Sequence, residues 1–575
     1  MSTTSSLQSF LSSQKYGYDF VVGTTQASIN SSLKEYLDQC SQPETYLCFL
    51  ADSKGNPTEE ISLVDLMAKT GGVNPFDIPN GTSYDDPRIS TLTKNMFVVG
   101  LKIKMGLPSN ILPKDLPPIV SLGDSADNVR FNLLCSEFEI IQNSPPSGFG
   151  SAGSWNVWTQ PNNQSWYFST TVNLVYKDLD QELDTPYFQN HPKEKQALIA
   201  QLKNISSSAF SLQQLLFDLD NAALQSIPTI QGLDPNTDAG TVLTKSFLDL
   251  YFGIVKNEGE PVISIHAISN TPDQSSLRLT GIEREVGQFV DGNGVPVQNP
   301  TPAQRDAYTL DYLCSVNNGA LPGAATFNWN WVDPADIADE SGMISINRNT
   351  LAAYYQTKLV PFVKNSCMKA YTHVTAHALG TVNNKWNLTP GQTPDTITIP
   401  ESGATVLEIS YSSDGKSHDK SGLTYGELDL KSSFNCTVQF SGNTITIVQH
   451  LVIYVKATFD LTSTDGNVVD RTITDTYTLS VDQNGNLKAD LKSNTENKDK
   501  KIDLKGIITF FVDMNKMIDS ITSYSKNISS ANFKDIPASD IQSFIFPGGK
   551  VFVYKNVQFS EHQDLLTAIT YSNPS

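Results

Sequence analysis

The sequence predicts an α+β fold, rich in β-structure, in which long one-faced antiparallel strands are closed by amphipathic helices. Three observations predict it. Four runs between Glu427 and Leu491 alternate apolar and polar residues almost without a break. Turn-forming clusters separate the runs: Ser441-Gly442-Asn443, Thr464-Asp465-Gly466-Asn467 and Asp482-Gln483-Asn484-Gly485-Asn486. Downstream, Leu504, Ile507, Ile508, Phe511, Met514, Ile518 and Ile521 recur at helical spacing. Side chains of a strand alternate sides, so the runs make a sheet with one apolar and one wet face. Short joints make neighbours antiparallel. The run Thr444–Leu461 spans on the order of 60 Å, against roughly 5–6 residues for an ordinary strand, so the sheet must coil.

The chain has 575 residues, too many for one core, so two domains or more are expected. Hydrophobic residues make up 39% and charged residues 17%, as in ordinary globular proteins. The formal charge of −20, from 40 basic and 60 acidic residues, argues against nucleic acid and against a polybasic grip on anionic membranes. Met1–Gln14 has neither the basic start nor the apolar core of a signal peptide. No run of about 18 apolar residues exists. The expectation is a cytoplasmic protein with at most transient membrane contact, with export by a signal-independent route left open. Cys40, Cys48, Cys135, Cys314, Cys367 and Cys436 form no Cys-x-x-Cys pair and read as reduced, buried thiols.

The elements follow in order. Residues 1–15 read as a loose tail. Tyr16–Thr24 is extended, and a helix follows with Thr24 or Thr25 as its cap and Ile29, Leu33, Tyr36 and Leu37 on one face. Tyr46–Leu50, Met96–Met105, Phe131–Ile141 and Ser165–Tyr176 read as strands. Pro192–Leu202 and Leu212–Leu224 read as a helical pair stopped by Pro228. Gly232 to Ala325 is mixed, with a strand near Pro261–Ile268 and a loop at Asp291–Pro302. Phe327, Trp329 and Trp331 alternate with asparagines as in a strand. Met343–Asn347 is extended, and a helix capped by Asn349 runs from Thr350 to Val363. Tyr18–Leu37 and Gly342–Val360 echo one another as strand, cap and helix, which hints at a duplicated module.

Tyr16-Gly17-Tyr18-Asp19-Phe20-Val21-Val22-Gly23 leading into Ile29-Asn30 and Leu33 resembles the opening of the clostridial neurotoxin-cluster accessory proteins, the forty-seven-kilodalton family and its OrfX relatives. Phe210–Leu219 and the block from Phe327–Trp331 to Ile344–Arg348 are similar to that family too. The resemblance spans nearly the whole chain, on hydrophobic and structural motifs. It implies membership of the TULIP (tubular lipid-binding) superfamily: two modules, about 16–325 and 326–575, each a long curved antiparallel sheet wrapped around a long helix. Many members shelter a lipid or other apolar ligand there, and the family offers no catalytic residues to carry over.

Motifs with chemical meaning read blandly. Gly148-Phe149-Gly150-Ser151-Ala152-Gly153 fits the dinucleotide fingerprint, but Pro145-Pro146 precede it and no helical pattern follows. His373 and His377 have the spacing of two metal ligands on a helix, without a third ligand near. Asp178, Asp180, Glu182 and Asp184 alternate as a calcium or paired-carboxylate face would, or as a solvated loop end. Asp482–Gly485 is a turn that lacks the glutamate of a calcium loop. No nucleophile elbow or phosphate loop occurs. Trp155, Trp158, Trp166, Tyr167 and Phe168 are either core or an interface-dipping cluster.

The expectation is therefore a non-enzymatic protein without cofactor or metal. A lipid or other apolar ligand lies between Phe434, Val438, Ile447, Leu451 and Ile453 of the sheet and Phe511 and Met514 of the helix. The alternative is a structural or accessory component of a toxin-type protein complex with no bound lipid.

Overall fold

The computed structural model describes residues 5–572 apart from 40–42, 124, 147, 149, 180–182, 203–209, 232, 259–261, 270–275, 501–509, 534–543 and 546–550. The fold is β-rich, with curled antiparallel sheets and helices laid against them.

Among the described residues the strands form four sheets, one of them seven-stranded. Its order is Leu279–Gly287, Thr309–Val316, Phe20–Thr25, Gly342–Ile346, Leu565–Ser572 and Val551–Tyr554, with Gln558–Phe559 also on Leu565–Ser572. Strands from both sides of residue 325 thus share one sheet. The sequence echo lies at its centre: Phe20–Thr25 and Gly342–Ile346 pair antiparallel, and each feeds a helix, Gln26–Gln39 and Arg348–Val363. Thr25 Oγ1 accepts from Ser28 N at 3.2 Å and caps the first helix. The second is capped by Asn347, whose Oδ1 accepts from Asn349 N at 2.8 Å. The cap thus lies two residues before the expected Asn349, because the Asn347 side chain also donates to Tyr18 O at 2.9 Å.

A ten-stranded sheet runs Phe544–Ile545, Val262–Ser269, Phe210–Ser226, Tyr167–Leu179, Asn128–Ser144, Phe97–Met105, Thr45–Ala51 and Pro57–Ile61; Val120–Leu122 and Ser154–Thr159 join it on Asn128–Ser144. The helix Asp238–Glu258 packs on it against Phe97–Met105, Asn128–Ser144 and Phe210–Ser226. Leu243, Phe247 and Tyr251 are buried there. Phe247 stacks on Phe168 with 3.6 Å between ring centroids, and Tyr251 Oη donates to Leu134 O at 3.0 Å. This helix falls in the interval the sequence left as mixed.

Three expectations are corrected. Leu212–Leu224 is not a helix but part of the strand Phe210–Ser226. Both faces of that strand are covered: Leu212 and Leu216 pack with Phe188 and Leu198, while Leu215, Phe217 and Leu219 join the main core. A doubly buried strand has apolar residues at spacings of three and four, and imitates a helix. Phe327–Trp331 is not a strand either; Phe327, Trp329 and Trp331 fill a side core with Leu11, Tyr16 and Tyr18. The expected loose tail is ordered from Ser5: Leu11 is buried, and the carboxylate of Asp564 accepts from Ser9 Oγ at 2.9 Å and Leu11 N at 2.7 Å.

The six-stranded sheet is the expected meander, extended backward: Thr396–Thr398, Thr405–Ser421, Thr424–Ser441, Thr444–Phe459, Thr462–Val481 and Leu487–Asn497 in sequential order. The expected turn Thr464–Asn467 is corrected: it lies inside a strand, paired with Tyr454–Ala457, and the chain reverses at Asp460 and Leu461 instead. Inward positions from Ile445 to Phe459 are all buried and the intervening ones half-exposed, as alternation demands. A register shift between Ile453 and Tyr454 marks an irregularity of the kind that increases local twist in such long strands. Against this sheet lies a hairpin, Lys369–His377 with Thr381–Thr389. Its edge amides are taken by side chains: Ala370 N by Ser413 Oγ at 3.0 Å, Val374 N by Ser417 Oγ at 2.9 Å and Ala376 N by Asp419 Oδ2 at 2.8 Å. Gly415 lies between these contacts, and a Cβ there would meet the Ala370 carbonyl carbon and Tyr371 N at 3.0 Å.

Candidate functional site: the inward face of the six-stranded sheet

The alternation of Thr424–Ser441 and Thr444–Phe459 turns Phe434, Val438, Ile447, Leu451 and Ile453 inward, and the register sets Phe434 beside Leu451 and Val438 beside Ile447. The structure brings all seven expected ligand-facing residues into one apolar core. The five sheet residues are 0% exposed, Phe511 2% and Met514 1%. Protein atoms therefore fill the space against them, and a ligand on this face must displace part of its cover.

That cover differs from the continuous helix expected from Leu504 to Ile521. Leu504, Ile507 and Ile508 lie outside the described residues. Phe511 forms an isolated β-bridge with Val382, and Asp513 turns the chain through φ 61° before the helix Met514–Ser523 begins. This ten-residue helix buries Met514, Met517 and Ile521. Beyond it, Ile528 and Ala531 continue the cover.

Four inward polar residues fasten the segment 525–533, and the sequence reading missed them. Arg471 Nη1 donates to Ser525 O at 3.0 Å. Gln449 Nε2 donates to Ser529 O at 2.8 Å. Asp475 accepts from Ser530 Oγ and from Ala531 N, both at 2.7 Å. Tyr477 Oη accepts from Phe533 N at 3.0 Å. The signal was present, since Gln449 and Asp475 interrupt otherwise apolar inward rows and both are 0% exposed. Burial raises the Tyr477 phenol and pushes the thiol of Cys436, the strand partner of Gln449, up to about 12, so that cysteine is a small apolar filler and not a nucleophile at neutral pH.

The other candidates separate. His373 and His377 lie on a strand, where four residues span about 13 Å, too far for one metal ion. Among the described residues no group of three or more His, Cys, Asp or Glu is placed to hold a metal. The run after Gly153 is the strand Ser154–Thr159, which removes the dinucleotide reading. Asp180 and Glu182 lie outside the described residues; Asp184 accepts from Gln189 at 3.0 Å. Asp482 Oδ1 accepts from Asn484 N and Asn486 N at 2.9 Å, closing the hairpin turn. Of the aromatic cluster, Trp155, Trp166 and Phe168 are core, Trp158 is half-buried against it, and Tyr167 is 38% exposed. Cys48, Cys135, Cys314, Cys367 and Cys436 are free and buried, and Cys40 lies outside the described residues. Among the described residues no helix is long and apolar enough to cross a membrane.

An open groove of about 840 Å³ runs beside the helix Gln26–Gln39. Its walls mix the apolar Leu107, Leu116, Leu122 and Tyr308 with the charged Lys34, Lys114, Arg305, Glu35, Asp38 and Asp306.

No family model matches the chain, and no curated protein matches it. Solved structures similar over nearly its full length include two from different proteins. P47 of Clostridium botulinum E1 shares 11% identity with a TM-score of 0.43, covering 97% of this chain and 100% of that one. A lipopolysaccharide binding protein shares 7% identity with a TM-score of 0.25, covering 97% and 99%.

Proposed function

We propose that the chain is a non-enzymatic binding protein for a lipid or other apolar ligand, which enters against Phe434, Val438, Ile447, Leu451 and Ile453 when the segment 514–533 moves aside. One observation carries this reading. Beside the hairpin 369–389 and the helix Arg348–Val363, the long apolar sheet face is covered by a short helix and a strap fastened at four polar points, Arg471, Gln449, Asp475 and Tyr477. An alkyl chain taking the place of the cover regains about 0.8 kcal/mol per CH₂, so a long chain offsets the lost contacts with few polar interactions of its own. Phe511 and Met514 form the near wall of the opened cleft.

A second reading, a structural or accessory component of a protein complex without lipid, draws on the complete burial of the same seven residues. The two are separated by incubating the protein with mixed liposomes and comparing native with denaturing mass spectra. A lipid of defined mass, retained by the native protein and lost from Ile447→Trp and Leu451→Trp, supports the carrier. An unloaded protein that instead holds a stoichiometric protein partner supports the scaffold and removes the carrier reading.

A further inference from the structure

The last strand of the six-stranded sheet, Leu487–Asn497, pairs with Thr462–Val481 on one side and, among the described residues, with nothing on the other. An exposed eleven-residue edge offers a row of backbone donors and acceptors to another strand. Its side chains face Thr476 and Thr478 across the sheet, opposite Lys492 and Asp490. Both charges are exposed, and neither has an ion-pair partner among the described residues. On the other face Leu487, Ala489 and Leu491 are half-exposed where they pack against the core.

We propose that this edge pairs with the same edge of a second copy, antiparallel and centred on Leu491, joining two six-stranded sheets into one. The sequence Leu487-Lys488-Ala489-Asp490-Leu491-Lys492-Ser493-Asn494-Thr495 is self-complementary in that register. Leu491 meets Leu491 on the apolar face. On the wet face Asp490 of each copy meets Lys492 of the other, twice by symmetry, and Lys488 meets Asn494. Side-chain parity excludes registers that would pair apolar with wet positions. Centring on Asp490 or on Lys492 sets like charges together. Centring on Ala489 or on Asn494 draws on Lys488 and Glu496, which already hold Asp482 at 3.2 Å and Lys498 at 3.4 Å.

Edge pairing buries little area, so the dimer is weak and concentration-dependent. Sedimentation velocity on the full chain, from low to high micromolar, tests it. The wild type shifts from monomer toward dimer over that range. Asp490→Lys and Lys492→Asp each replace two attractive pairs by two repulsive ones and weaken the dimer by roughly tenfold or more. The double exchange Asp490→Lys with Lys492→Asp restores it, because only the Leu491-centred register regains both pairs. Both positions are exposed, and circular dichroism of each variant matches the wild type. A wild type that stays monomeric throughout overturns the proposal, as does a dimer that the single changes leave intact or the double exchange fails to rescue.

Discussion

Asp475 is the strongest single fastening of the cover, and its removal gives the sharpest forecast. Its carboxylate accepts from Ser530 Oγ and Ala531 N at 2.7 Å inside a wholly buried site. In Asp475→Ala the Ser530 hydroxyl can turn away, but the Ala531 amide stays buried without an acceptor, at a cost of about 1–3 kcal/mol. The neighbouring bonds of Gln449 to Ser529 and Tyr477 to Phe533 are untouched, so the loss concentrates in the strap and not in the sheet. Hydrogen exchange followed by proteolysis and mass spectrometry reads it directly. Amides of 528–533 should exchange roughly 5- to 150-fold faster, while those of Thr444–Phe459 keep their protection. Asp475→Asn retains an acceptor for Ala531 N and should recover most of the protection. Unchanged exchange in 528–533 with Asp475→Ala would refute the idea that polar contacts hold this cover shut.

Other outcomes are equally concrete. Phe247→Ala removes the ring between Phe168 and Phe138 and should cost about 3–5 kcal/mol in urea unfolding; under 1 kcal/mol would mean that the long helix is not the centre of its core. Gly415→Val drives side-chain atoms into the backbone of Ala370 and Tyr371, so the hairpin 369–389 should become the first site of limited proteolysis. Asp311 is fully buried, and burial raises its carboxyl to about 7. Its folded-state pKa lies above the unfolded value near 3.9, so the folded protein binds the extra proton. Stability from this group is complete below about pH 4, falls as pH rises to about 7, and is flat above. Asp311→Asn should flatten that part of the stability profile, although Asp564, also raised to about 7 by burial, keeps a slope of the same sign.

The meander was legible because a half-buried sheet writes its geometry into sequence. Ile445, Ile447, Leu451, Ile453, Val455, Ala457 and Phe459 alternate without exception but for Gln449, and Gly442 and Gly485 sit in the turns at positive φ. The strand–cap–helix echo was legible for the same local reasons. Elements defined by what lies on both sides of them were not. The strand Phe210–Ser226 packs on two cores and imitates helical spacing. The helix Asp238–Glu258 carries Leu243, Phe247, Tyr251 and Val255 at spacings of four, a signal obscured by the mixed composition around it. The cover failed at one residue: Asp513 in the left-handed region interrupts a run whose apolar spacing continues through it, and spacing carries no information on backbone sign. The apolar wall was readable as a pattern, but its polar fastenings depend on contacts with a strap some 50 to 80 residues away in sequence, which periodicity does not encode.

The central claim is that the inward face of the six-stranded sheet takes up an apolar chain when its cover moves. A lipid-analogue spin label with the nitroxide deep in its acyl chain, combined with a single cysteine label at exposed Lys516 on the cover helix, measures both events at once. The account predicts a short label-to-label distance on binding, and its loss in Leu451→Trp. A protein that binds the lipid analogue with an unchanged, long distance to position 516, or that binds none while Asp475→Ala has visibly loosened the cover, would contradict it.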